Sequence, residues 1–199
     1  RPETADSGHK PVMLDEVLAA LDLKDGDKVV DGTFGGGDYT RAILTAAKCA
    51  VFAIDRDLDA IMRAEALAAQ TDRITPLLGR FGEMDALVEA TGCDTVDAVV
   101  LDIGVSSFQI DEGHRGFSFN KDGPLDMRMG AAGPTAADVV NHMEEGDLAN
   151  VIFRLSEEKQ ARRIARQIVN RRKEQPFETT LDLAQTVEAA VGGRKGSRI

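Results

Sequence analysis

The run Asp31-Gly32-Thr33-Phe34-Gly35-Gly36-Gly37 is the part of this sequence best equipped to hold a ligand against its backbone. Glycines there leave no Cβ between main chain and ligand, and a helix starting just after them presents unbonded N–H groups. A dinucleotide fingerprint would read G-x-G-x-x-G. From Gly35 the residues are Gly35-Gly36-Gly37-Asp38-Tyr39-Thr40, which lack the last glycine. The D-x-x-x-G-x-G spacing, Asp31 to Gly35 to Gly37, fits an S-adenosylmethionine loop better. An ordinary tight turn is the plainer alternative.

Asp55 follows Asp31 by 24 residues and closes an apolar run. A carboxylate at that place can accept both ribose hydroxyls of an adenosine, although a helix N-cap would use the same residue type. Phe81 could flank an adenine ring or simply pack. Asp102 closes another apolar run, at the edge where open α/β sheets bind ligands. If the methyl acceptor is an exocyclic amine, its lone pair is delocalised into the ring. A carboxylate accepting its N–H would orient that nitrogen and help relieve it of a proton. Asp102 is the candidate for this role; a capping or solvated aspartate is the alternative.

His9, His114 and His142 stand alone, without acidic or Cys partners at ligand spacing, so no metal site is expected. Phe117 and Phe119, in Arg115-Gly116-Phe117-Ser118-Phe119, could stack a flipped base or anchor a loop. The basic run Arg162-Arg163, Arg166, Arg171-Arg172-Lys173 could meet phosphates, or be a surface face balanced by Glu157, Glu158 and Glu174.

These residues need a scaffold, and the apolar patterning supplies one. Helical spacing over Met13 to Leu21 precedes a strand from Lys28 to Phe34, then a helix from about Tyr39 to Ala47. A strand Ala50–Asp55, a helix Leu58 to Ala69, a strand Ile74–Leu78 and a helix through Met84, Leu87 and Val88 follow, and Val96 to Gly104 reads as a fourth strand. Apolar strands separated by helices predict βαβ units and a parallel sheet buried on both faces. The stretch Val105 to Pro134 has no clear period and reads as a functional loop. From Thr135 the pattern is helical: Ser156-Glu157-Glu158 is expected to start one helix, Pro176 to break it, and Thr179 to Asp182 to cap another. The expected organisation is a cofactor-binding part over 1–105, a loop over 106–133 and a helical part over 134–199.

Composition agrees with a globular protein: 43% hydrophobic, 29% charged, with no run long enough for a bilayer span and no signal-peptide pattern in Arg1 to Lys10. Cys49 and Cys93 alone do not make a disulfide scaffold and read as reduced thiols of a cytoplasmic protein. The net charge of −10 is unevenly spread. Residues 1–153 hold 13 Lys and Arg against 28 Asp and Glu, a balance of −15; residues 154–199 hold 11 against 6, a balance of +5. An acidic body with a basic end is compatible with a nucleic-acid contact or with a solvated helix face.

Several stretches together are similar to a known family. They are His9-Lys10-Pro11-Val12-Met13-Leu14, the Asp31–Gly37 loop, Ile54-Asp55-Arg56-Asp57, Asp102-Ile103-Gly104-Val105-Ser106-Ser107, Arg115–Phe119, Asp122-Gly123-Pro124-Leu125-Asp126-Met127-Arg128-Met129 and Ala161–Arg166. In this order they resemble the bacterial 16S ribosomal RNA cytosine-N4 methyltransferases, the small-subunit methyltransferase H family. The resemblance implies a Rossmann-like class I methyltransferase sheet, incomplete in this chain, with an inserted all-helical small domain. It implies S-adenosyl-L-methionine contacts at Gly37, Asp38, Tyr39, Asp55, Phe81, Asp102 and Gln109. The implied reaction methylates the exocyclic N4 of one cytosine in the decoding region, with 16S ribosomal RNA in the small ribosomal subunit as partner and neither membrane nor metal involved. A non-catalytic nucleotide-binding assembly module, or a methyltransferase for another substrate, is the alternative. Oligomeric state is left open.

Two positions depart from the family pattern. Asp38-Tyr39 stands where the family often has Gly-His, and Phe108 where it has Pro before Gln109. Main-chain contacts survive the first change, whereas a side-chain role for the usual His does not. The family also reads on past Ile199 through further strands, so residues 1–199 alone are expected to turn over weakly or not at all.

Overall fold

The computed structural model describes residues 13–130 and 132–192; His9 to Val12, part of the first family stretch, lie outside them. The chain divides after Ser106 into two compact units.

The first unit is a parallel sheet with helices on both faces. Its described elements run α1 (Leu14–Leu21), β1 (Lys28–Asp31), α2 (Asp38–Ala46), β2 (Ala50–Asp55), α3 (Leu58–Ala68), β3 (Ile74–Leu78), a 3₁₀ turn (Phe81–Glu83), α4 (Met84–Glu89) and β4 (Ala98–Val100). All pairings are parallel, in the order β3-β2-β1-β4. Side chains alternate across the pleat. Val29, Val51 and Val100 join Ile43 of α2 on one face, and Val30, Phe52 and Ile54 meet Val88 of α4 on the other. Ala53 packs with Ala60 and Ala64 of α3. Both central strands are therefore buried on two sides, which is why they read as continuous apolar runs. Pro76, which has no N–H for a ladder, sits on the edge strand β3.

Two strands are shorter than the sequence suggests. β1 stops at Asp31 and the chain turns into the loop from Gly32, although the Gly32 and Phe34 N–H groups still reach the Val100 and Ile54 carbonyls. β4 covers only Ala98–Val100, so Asp102 lies two residues past its end instead of closing it. Beyond β4 the apolar Leu101, Ile103 and Val105 are exposed.

The second unit is helical: α5 (Ser107–Asp111), a 3₁₀ turn (Gly113–Arg115), α6 (Ala136–His142), α7 (Glu145–Ser156), α8 (Ala161–Arg171) and α9 (Thr180–Val191). The stretch read as a functional loop without a clear period thus contains α5 and a 3₁₀ turn. Ser156-Glu157-Glu158 ends a helix instead of starting one: Glu157 adopts a left-handed conformation, φ 54°, as the C-cap of α7. Helical spacing continues through this point, so apolar periodicity alone could not locate the break. Thr135 and Thr179 are N-caps, each accepting the N–H of the Asp three residues on. α8 is the centre of the unit; Ala161, Ile164, Ala165 and Ile168 form its buried stripe, packed with Leu125, Val140, Leu148 and Phe177.

The Asp122–Met129 motif ties this unit together. Leu125 is buried in the core and donates its N–H to the Glu178 carbonyl at 2.8 Å. The carbonyls of Leu125 and Asp126 accept N–H groups of Ala137 and Ala136 at the start of α6, both at 2.8 Å. Asp126 accepts two bonds from the Arg128 guanidinium, at 2.9 and 2.7 Å, and that neighbour holds its carboxyl below the usual range.

Candidate cofactor site at the carboxyl edge of the sheet

The strand order places β1 between β2 and β4, so the direction of winding reverses beside β1. In open α/β sheets the crevice beyond the carboxyl ends at such a reversal is where ligands bind. Asp31, Asp55 and Asp102 all stand at this edge, closing β1, closing β2 and following β4.

Asp31 is almost wholly buried. Its carboxylate accepts the Thr40 hydroxyl at 2.7 Å and the Thr33 N–H at 3.3 Å. Burial pushes its carboxyl up to about 6, against those two bonds, and Asp55 and Asp102 add smaller pushes in the same direction. Thr40 is on the first turn of α2, so this pair fixes where the helix begins relative to β1. Thr33 makes a second link: its hydroxyl accepts the Asp102 N–H at 2.7 Å. The Gly32 N–H reaches the Val100 carbonyl at 3.0 Å.

Asp55 holds the glycine loop from the other side. Its Oδ2 accepts the Gly35 N–H at 2.8 Å and its Oδ1 accepts the Asp57 N–H at 2.9 Å. The Arg63 Nε donates to the Gly35 carbonyl at 3.1 Å. The N-cap of α3 is Asp57, whose side chain accepts the Asp59 N–H at 3.1 Å, so the capping alternative for Asp55 falls to its neighbour. A carboxylate offers about four lone-pair positions; two are used here and two remain.

Gly37 is the N-cap of α2 with φ 81°, and no side chain caps the helix there. A Cβ on Gly37 would lie 2.5 Å from Phe34 Cζ, and one on Gly32 would collide with the Leu101 side chain and come within 3.2 Å of Phe81 Cβ. Phe81, just past β3, is 39% exposed, so a packing role does not consume it. Asp38 pairs with Arg41 at 3.6 Å. Tyr39 is half-buried, and burial, with Asp102 and Asp31 next, raises its hydroxyl. Asp102 is exposed.

Gly37, Asp38, Tyr39, Asp55, Phe81 and Asp102 therefore all belong to the first unit, at or just beyond the carboxyl ends of its strands. Gln109 belongs to the second unit, buried in α5. Phe119 is 67% exposed, and Phe117 is half-buried. Sequence reasoning gave no role to Thr33, although it lies within the glycine run, and missed Thr40 and Arg63, which no motif announces. A polar residue early in the helix after such a loop is the only signal that could have pointed to Thr40.

Among the described residues no group of three or more His, Cys, Asp or Glu could hold a metal ion, and no helix is long and apolar enough to cross a membrane.

An all-parallel sheet of order 3-2-1-4, with a glycine loop after its first strand and acids at its carboxyl edge, defines a Rossmann-like methyltransferase fold. The chain belongs to the MraW methylase family, matched over residues 6–198. It is 66% identical over 194 residues to the ribosomal RNA small subunit methyltransferase H of Hyphomonas neptunium, covering 98% of this chain and 57% of that protein. The protein of the same name from Parvibaculum lavamentivorans is 56% identical, covering 97% and 57%. That from Caulobacter vibrioides is 52% identical, covering 96% and 60%. The chain thus spans little more than half the length of these relatives.

Proposed function

We propose that this chain carries the cofactor-binding and acceptor-positioning parts of an S-adenosyl-L-methionine-dependent methyltransferase that modifies the exocyclic N4 of a cytosine in the decoding region of 16S ribosomal RNA. The observation that carries the reading is the acidic rim: Asp31, Asp55 and Asp102 at the strand ends around one glycine loop. Such a rim opposes the pyrophosphate of a dinucleotide and favours a cationic nucleoside. The names of the relatives, all ribosomal RNA small subunit methyltransferase H, support RNA as the acceptor.

The residues fit that cofactor. Gly35 and Gly37 have φ of 53° and 81°, and a Cβ on Gly35 would meet nothing closer than 3.8 Å, so the loop leaves room for a ligand at its backbone. Asp55 has two lone-pair positions to give to the ribose, and Phe81 a face to give to the adenine. S-adenosylmethionine supplies an electrophilic methyl group on a sulfonium. Asp102, with its main chain pinned by the Thr33 hydroxyl and its carboxylate exposed, accepts an N–H of the cytosine amine. That contact orients the nitrogen lone pair and stabilises the positive charge it develops. The amine is itself the nucleophile, so no covalent link to the protein is needed; Cys49 and Cys93 are both buried. We assign Gly37, Asp38, Tyr39 and Gln109 to cofactor contacts on the strength of the family resemblance.

The test is tritium transfer from labelled S-adenosylmethionine to small subunits lacking the modification, with naked RNA and bulk protein as comparisons. Residues 1–199 are assayed beside the longer relative from Hyphomonas neptunium, 57% of whose length they cover. Label in one cytosine of the small-subunit RNA is expected; label in protein only would overturn the reading.

A further inference from the structure

The six basic residues of 162–173 do not form one surface. Arg171 donates to Asp182 at 2.7 Å and to the Gln175 carbonyl at 2.6 Å, and its guanidinium lies 5.1 Å from the centre of the Phe177 ring. Arg172 donates to the carbonyls of Val140 and Met143, both at 2.8 Å. These two arginines hold α6 and α9 to the end of α8, and that occupies them.

Arg162, Arg163 and Arg166 are different. All three are exposed, on the face of α8 opposite its buried stripe. Residues three and four apart on a helix are neighbours, so the three charges crowd one patch. The balancing acids suggested by the sequence do not reach them: no ion pair to Glu157, Glu158 or Glu174 is present among the described residues. Glu158 instead accepts the Gln160 N–H at 2.8 Å. The contacts that exist are loose, Arg163 to Gln160 at 3.4 Å and Arg166 to Glu145 at 3.7 Å. Arg162 has no ion pair or hydrogen bond among the described residues.

The patch works against the helix that carries it. Arg162 and Arg163 lie in the first turn of α8, which holds no acid, where the helix dipole disfavours cations. Arg162 and Arg166 are also like charges at i, i+4. α8 has no acidic residue at all, in a chain whose net charge is −10. A solvated face evolved only for solubility would interleave acids, as α7 does with Glu145 and Asp147 in its first turn.

We propose that Arg162, Arg163 and Arg166 form a phosphate-contact surface by which the helical unit grips the RNA backbone. This rests on the reading of RNA as the acceptor and adds where the strand is held. The spread of guanidinium groups over one turn fits a run of backbone phosphates rather than a single anion.

The test measures binding of a small-subunit ribosomal RNA transcript against salt concentration. The variants are Arg162→Gln/Arg163→Gln/Arg166→Gln, the corresponding triple Lys variant, and a charge-matched control, Lys24→Gln/Lys28→Gln/Lys48→Gln, at the amino end of the sheet. Losing three contacts should make the slope of log K against log salt shallower by about 2 and weaken binding roughly 10- to 100-fold near 0.1 M salt. The triple Lys variant and the control should keep most of the slope. Melting temperature of the triple Gln variant should be unchanged or higher, since repulsion is removed. A lower melting temperature with an unchanged slope would mean a structural role and overturn the proposal. Should the triple Gln variant fold poorly, phenylglyoxal labelling of the unsubstituted protein decides: RNA should protect these three arginines, and equal labelling with and without RNA would refute the assignment. The two readings fail separately. Methylation of RNA with a triple Gln slope like the parent's sinks the surface alone; a flattened slope without any RNA methylation sinks the acceptor alone.

Discussion

The Asp55 carboxylate, at the end of β2, accepts the N–H of Gly35 in the loop after β1 at 2.8 Å. One acid thus holds the glycine loop in place and still has lone pairs to spare. Removing it should loosen the loop and, on the proposed reading, take away the ribose acceptor together. Asp55→Ala is expected to weaken S-adenosylmethionine binding about 10- to 100-fold, in line with loss of hydrogen bonds to a charged group. Calorimetric titration checks this, and affinity equal to the parent's would remove Asp55 from the site.

Asp31 makes stability depend on pH. In the fold its carboxyl is pushed up to about 6, whereas its ordinary value is 3.8. Between those values the folded state holds a proton that the unfolded chain has released. Stability from this group is therefore full below about pH 4 and declines as pH rises through about 6. Asp31→Asn has no proton to lose. Its urea-unfolding curve should lack that decline and gain up to about 3 kcal/mol over the parent at pH 8. A parallel pH dependence in both proteins would contradict the burial argument.

Gly37→Ala meets two obstacles, the left-handed φ of 81° and a Cβ 2.5 Å from Phe34 Cζ. We expect a stability loss of about 1–3 kcal/mol and a matching drop in cofactor affinity. Thermal unfolding with and without S-adenosylmethionine reads both. An alanine variant that melts and binds like the parent would show the loop to be soft.

Asp102→Asn keeps the main-chain bond to Thr33 and removes only the charge. Cofactor affinity should fall modestly, by about threefold to tenfold, because one charge of the rim is lost, while methyl transfer at saturating cofactor falls about 10²-fold or more, the size of one lost electrostatic contact. Single-turnover rates beside binding isotherms separate the effects. Transfer at the parent rate would end the catalytic assignment.

Phe177 is 1% exposed, its ring under Arg171, and its main chain is clamped by Asn141 at 2.9 and 2.8 Å. Phe177→Ala should cost the helical unit about 3–5 kcal/mol. Guanidinium unfolding should show that loss. A loss below about 1 kcal/mol would mean the cavity collapses freely.

The alternation of strands and helices over Met13 to Val100 was legible because a buried parallel strand needs an apolar run and a covering helix needs a stripe. Errors fell where main chain turns without changing hydropathy. Glu157 ends α7 in the middle of a helical pattern, and β4 stops at Val100 although apolar residues continue to Val105. That the glycine loop leaves β1 and that Asp55 and Asp102 stand at or just beyond strand ends could be picked out beforehand, since a turn and the end of an apolar run restrict residue type at those places. Thr33 and Thr40 could not, because a threonine hydroxyl has meaning only once its partner is known.

What the sequence by itself determined is the inventory: which segments must be buried, where the chain can approach a ligand, and that an acid follows three of the four strands at or just beyond its end. Those follow from side-chain volume, polarity and backbone freedom, which are local properties. Only tertiary structure decided that β4 lies beside β1, which brings the Asp102 N–H to the Thr33 hydroxyl across 69 positions of chain. It alone also divided the arginines of α8 and its C-cap into Arg171 and Arg172, hydrogen-bonded to neighbouring elements, and Arg162, Arg163 and Arg166, exposed with at most loose contacts, since a charge is spent or available according to what packs beside it.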